Sequence, residues 1–292
     1  YLAELLLSAG QVDGAENLLR KLGTNSSPAE ALRWIIAAVR GNVDRPPEVH
    51  TSASEWLGLS YYYQARHELP QALNAARQSV TLSPNFGFGW ARVAELEFGF
   101  GRVPAARAAL ERSLQLAPRN AQTHALNGFL LSARNCFADA RAAFEHAIEL
   151  DSSLGNAWLG RGLIRLRTGD AAGGREDLQT AVILEPKRSL LRSYLGKAFT
   201  DAGRATNAAL ELHLAQALDP RDPTPWLYSA LLNEDYNRFN DAVGDLEKSI
   251  ALNDNRAVYR SQLLLDEDRA VRGANLAAIY RRAGLAEVGV SE

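Results

Sequence analysis

The side chains most able to hold a metal or act as acid, base or nucleophile are five histidines, one cysteine and a short acidic run. His50, His67, His124, His146 and His213 show none of the spacings that bring two imidazoles onto one metal. Cys136 has no second cysteine to pair with, and between Asn135 and Phe137 at a predicted turn it reads as a small filler residue rather than a reactive thiol. Gly173 and Gly174 fall inside a predicted helix, so they do not form a phosphate-cradling loop. Asp266, Glu267 and Asp268 fit a solvated or capping face. The expectation is therefore a protein that is not an enzyme, with no catalytic residue, no metal site and no cofactor.

Composition narrows the partners. A net charge of -2 argues against a nucleic acid held through its phosphates, which needs a basic surface. No apolar run approaches the roughly 20 residues that span a bilayer, so direct membrane insertion of this segment is not expected. The chain contains no methionine and starts at Tyr1 within a predicted helix, which reads as a fragment or a processed form.

The elements that position these side chains follow from one period. Trp56, Trp90, Trp158 and Trp226 are separated by 34, 68 and 68 residues, and Pro84, Pro118, Pro186 and Pro220 fall on the same grid. A fixed period of this length marks stacked helix pairs. With tryptophan at position 4, six units follow without interruption: 53–86, 87–120, 121–154, 155–188, 189–222 and 223–256. Position 8 is Ser60, Ala94, Gly128, Gly162, Gly196 and Ala230, and position 20 is Ala72, Ala106, Ala140, Gly174, Ala208 and Ala242. Small residues there let two helices approach closely, while Leu110, Phe144, Leu178, Leu212 and Leu246 at position 24 supply the complementary bulk. Ala or Ser at position 27 is expected to let the second helix approach the next repeat. His67, Gly101, Asn135, Gly169, Gly203 and Asn237 mark the turn between the two helices, where a left-handed residue is wanted. Proline at position 32 ends the second helix.

Trp at 4, Gly or Ala at 8, Gly near 15, Ala at 20, a large apolar residue at 24, Ala or Ser at 27 and Pro at 32 together resemble the tetratricopeptide repeat (TPR). The resemblance covers residues 53–256 and implies an all-α fold, a right-handed superhelix of helix hairpins with the first helices lining a concave groove. Residues 1–52 read as irregular TPR-like helices: Leu2 to Leu22 with Gly10 at the turn and Ala15 at the small position, an amphipathic helix from Pro28 to Arg40 carrying Trp34, and a loop from Gly41 to Thr51. Residues 257–292 read as irregular helices and a partial repeat, where Leu276, Ala277, Tyr280 and Gly284 restart the pattern out of phase.

In this family positions 2, 5, 9 and 12 of the first helix face the groove. Here they include Tyr61, Phe88, Phe98, Phe129, Leu163, Leu166, Leu190, Leu227 and Leu231, with Glu95, Lys197 and Glu234 as charged interruptions. Such a lining suits a protein partner that lays an extended peptide or an amphipathic helix along the groove; the alternative is that some of these side chains pack as core in a tightly wound array. The carboxylate clamp of TPR modules that hold chaperone C-termini needs Lys and Asn at positions 5 and 9. Lys197 alone does not rebuild it. Residues 253–261 and 263–268 are also similar to a segment of bacterial TPR arrays that precede an outer-membrane, porin-like barrel. That resemblance implies a periplasmic adaptor of an export protein, with a cytoplasmic location, or an adaptor fused to an enzyme, as alternatives.

Overall fold

The structure, a computed structural model, describes residues 2–8, 11–21, 27–40 and 52–252. Fifteen α-helices and no strand occur among the described residues, as the resemblance implied. The chain divides into two compact units, Tyr1–Arg119 and Asn120–Glu292. In the first, α1 (Leu2–Ser8), α2 (Val12–Lys21) and α3 (Ser27–Arg40) close over Ala3, Ala15, Leu19, Ala29 and Ile36. The hairpins α4 (Ala53–Ala65) with α5 (Leu69–Leu82), and α6 (Gly87–Gly99) with α7 (Val103–Leu116), follow. The second unit stacks four more: α8 (Ala121–Ala133) with α9 (Phe137–Leu150), α10 (Gly155–Arg167) with α11 (Ala171–Leu184), α12 (Ser189–Asp201) with α13 (Ala205–Leu218), and α14 (Thr224–Asp235) with α15 (Phe239–Ala251). Within it the first helices of successive hairpins also touch, α8 with α10, α10 with α12 and α12 with α14.

Each hairpin turn is built by one residue in the left-handed region. His67, Gly101, Asn135, Gly169, Gly203 and Asn237 have φ between 56° and 95°. The amide after each donates to the carbonyl five residues back, at 2.8 to 3.0 Å, closing the Schellman pattern that satisfies the last carbonyls of the first helix. Helix starts are made in different ways. Ser52 and Glu55 form a reciprocal capping box on α4, while Asn120 caps α8 and Asp170 caps α11.

Packing explains the small positions. Phe144 is fully buried and lies edge-on to Phe129 with centroids 4.8 Å apart. A Cβ at Gly128 would sit 2.7 Å from its ring, and one at Gly160 would sit 2.1 Å away. One phenylalanine therefore requires two glycines on two successive first helices. The Gly173-Gly174 pair is likewise structural: Asp170 accepts from the Gly173 amide at 2.9 Å, and a Cβ on Gly174 would meet Leu166 at 2.7 Å.

Two ties recur between elements. Serine at position 27 is fully buried and donates to the first carbonyl of its own repeat: Ser79 to Ala53, Ser113 to Gly87 and Ser249 to Pro223, at 2.7 to 2.9 Å. The small residue thus binds its own hairpin, a role the volume argument alone did not include. The indoles of Trp90 and Trp158 donate to the carbonyls of Pro84 and Ser152, and Arg192 at the same position donates to Pro186, all at 2.8 to 2.9 Å. In these three repeats position 4 therefore staples the first helix to the preceding corner. At Trp226 the staple is missing, and its Nε1 is buried without a partner. The Gly10 turn, His50, the loop over 41–51, the acidic run at 266–268, the segment similar to porin-linked arrays and the out-of-phase pattern around Tyr280 lie outside the described residues.

Candidate binding surface

The residues expected to line a groove divide by burial. Phe98 (0% exposed), Phe129 (3%), Leu190 (7%) and Leu227 (6%) belong to the core. Their spacing is that of groove positions, but each side chain is covered by neighbouring helices. Tyr61, Leu163, Leu166 and Leu231 are half-buried, and Phe88 is 55% exposed. The first unit therefore presents Tyr61 and Phe88 and the second presents Leu163, Leu166 and Leu231 as accessible apolar surface.

Two of the charged interruptions, Lys197 and Glu95, are paired locally. Lys197 pairs with Asp201 one turn along α12 at 2.7 Å. Glu95 is 9% exposed and accepts from Arg92 at 2.9 Å. Arg92, itself 1% exposed, also donates to the Ser60 hydroxyl at 3.0 Å, the Ser60 carbonyl at 3.3 Å and Gln64 at 2.5 Å, with its guanidinium 4.0 Å from the Tyr61 ring centroid. Burial pushes the Tyr61 phenol above its ordinary range, with Arg92 opposing that and Glu95 adding to it. A buried arginine is retained only when its donors are satisfied. This one ties α4 to α6 beneath the strip.

A comparable polar network lies inside the second unit. Asp177, 3% exposed, accepts both bonds of Arg161 at 2.8 and 2.9 Å and a third contact from Arg165 at 3.1 Å. Arg161 also stacks over Trp158 at 4.7 Å. Two hairpins later Asp245 occupies the same register and accepts from Ser229 at 2.6 Å and Asn233 at 2.8 Å; burial raises the Asp245 carboxyl, and the two hydrogen bonds lower it. These networks hold the two helices of a hairpin together.

Two of the five histidines do meet. His124, in place of the position-4 tryptophan, packs edge-to-face with His146 at 4.6 Å, and His146 contacts Glu149 at 3.2 Å. Among the described residues no group of three or more His, Cys, Asp or Glu side chains is arranged to hold a metal. Cys136 is half-buried at the N-cap of α9, with Sγ 3.8 Å from the Arg134 carbonyl. No helix among the described residues is long and apolar enough to cross a membrane.

Solved structures share this architecture. The APC/C hetero-tetramer Cut9-Hcn1 superposes with a TM-score of 0.71 at 18% identity, over 90% of this chain and 55% of that one. A tetratricopeptide repeat protein from Parabacteroides merdae gives 0.56 at 13% identity, over 95% of both chains. A thermophilic TPR protein of Thermus thermophilus gives 0.54 at 18% identity, over 62% of this chain and 99% of that one. The chain thus spans little more than half the length of the first of these proteins. No protein-family model matches the sequence, and no curated protein matches it. The fold is that of the tetratricopeptide-repeat proteins, an all-α array of helix hairpins.

Sequence reasoning did not find the Arg92 network, the serine ties or the histidine pair. Only the capping box left a local signal, Ser followed three residues later by Glu at 52 and 55.

Proposed function

We propose that the chain is a protein-protein interaction scaffold that binds a peptide or an amphipathic segment against the first helices of its hairpins. The observation that carries this reading is the half-exposed apolar set at groove positions, Tyr61 and Phe88 in one unit and Leu163, Leu166 and Leu231 in the other. Glu95 and Lys197 at groove positions are already paired, so the surface gains most by covering apolar area. The organisation read from the sequence, six repeats over 53–256 between irregular ends, is part of this proposal.

Panning the 292-residue chain against a random peptide display library tests it. Enriched peptides should bind at least about tenfold more weakly to Leu163→Ser combined with Leu231→Ser, while helicity is retained, since one or two lost apolar contacts carry that much. Equal binding to the variant contradicts the groove. Phe98 and Phe129 are unsuitable targets because truncating them opens a cavity.

A further inference from the structure

We infer that the α14–α15 hairpin is a pH-gated flap, seated on α12 and α13 while Asp222 holds a proton and opening when Asp222 is ionised. The hairpin is well tied internally. Ser249 donates to the Pro223 carbonyl at 2.8 Å, and Asp245 accepts from Ser229 at 2.6 Å and Asn233 at 2.8 Å. It is the last hairpin among the described residues, so it meets the rest of the second unit on one side, where α14 packs on α12 and α13. An end unit of a repeat array opens most readily, because it gives up a single interface.

The joint lacks a fastening that other hairpins have. Trp90, Trp158 and Arg192 each bind the preceding corner from position 4, but the Trp226 Nε1 is buried without a partner. Asp222 spans this joint instead, accepting from the Ser189 hydroxyl at the start of α12 at 2.9 Å and from the Thr224 amide at the start of α14 at 2.8 Å. It is fully buried, and no cation pairs with it among the described residues. On the α12 side Arg188 is held by Glu185 at 3.0 Å and Arg192 by Glu211 at 2.7 Å. On the α13 side Asp219 adds repulsion, while His213 and Arg221 are exposed. Tyr194 of α12 and Tyr228 of α14 meet edge-on at 5.6 Å. A carboxylate buried among neutral donors is costly, and the neutral acid is much less so. Ionisation therefore strains the seated joint, and opening hydrates the charge.

Burial raises the Asp222 carboxyl from 3.8 to about 6. The seated hairpin thus keeps its proton to higher pH than the open one, so seating is firmest below about pH 4 and weakens as pH rises to about 6. Between pH 5 and 7 the opening constant should rise about tenfold. Hydrogen exchange on the full chain at these two pH values, corrected for the intrinsic rate, tests the inference, because helices of 12 and 13 residues do not hold their hydrogen bonds away from their neighbours. The rise should appear in α14 and α15 and not in α10 and α11. Asp222→Asn should remove most of it, whereas Asp245→Asn, which alters a half-buried carboxyl inside the hairpin, should keep it. No rise in the wild type, an equal rise in α10 and α11, a rise that survives Asp222→Asn, or its loss in Asp245→Asn overturns the inference. The measurement uses no ligand and does not depend on peptide binding.

Discussion

At the residue scale, burial decides what a side chain is for. Phe144 shows how a single core residue sets the identity of others, since its ring leaves no room for a Cβ at Gly128 or Gly160. Gly160→Ala would place a methyl 2.1 Å from that ring, so Phe144 or α10 has to move. The expected cost is about 1 to 3 kcal/mol, read as a lower midpoint in urea with an unchanged slope. Unchanged stability would show that the ring can step aside. Position 8 glycine was legible in the sequence as a close-approach site. The second glycine, at position 6, was not, because Gly58, Arg92, Leu126, Gly160, Tyr194 and Tyr228 share that position and only the neighbouring Phe144 distinguishes Gly160.

At the scale of the element, the period fixed where helices begin and turn, because the turn positions answer to backbone sterics that act locally. His67 is the one turn residue that is neither Gly nor Asn, yet it takes the same left-handed conformation. What the period could not show is which small residues also carry a bond, since Ser79, Ser113 and Ser249 share position 27 with Ala147, Ala181 and Ala215 and read alike as small residues. The α13–α14 corner carries a consequence. Asp222 is fully buried, accepting from Ser189 at 2.9 Å and from the Thr224 amide at 2.8 Å. Burial, with a smaller push from Asp219, outweighs those hydrogen bonds and raises its carboxyl from 3.8 to about 6. A folded-state value above the unfolded one means that the folded chain holds the proton longer. The stabilising contribution is present below about pH 4 and lost as pH rises to about 6, by up to about 3 kcal/mol. Asp222→Asn should therefore flatten that part of the stability profile and raise stability at neutral pH, measured by denaturant unfolding across pH. A profile identical to wild type would contradict the assignment.

For the whole molecule, the helix-hairpin class was legible from tryptophan, small-residue and proline spacing, because every repeat solves the same packing problem. The binding surface was only half legible. Groove positions were identified by register, but register does not tell an accessible Leu163 from a buried Phe129, which depends on how far neighbouring helices close over each site. The central claim, that the first helices of the hairpins bind a peptide, is tested most directly by hydrogen exchange on the full chain with and without a peptide selected against it. Binding there predicts added protection in α4 and α6 or in α10, α12 and α14, around Tyr61, Leu163 and Leu231. Protection confined to the second helices α9, α11, α13 and α15 would contradict it.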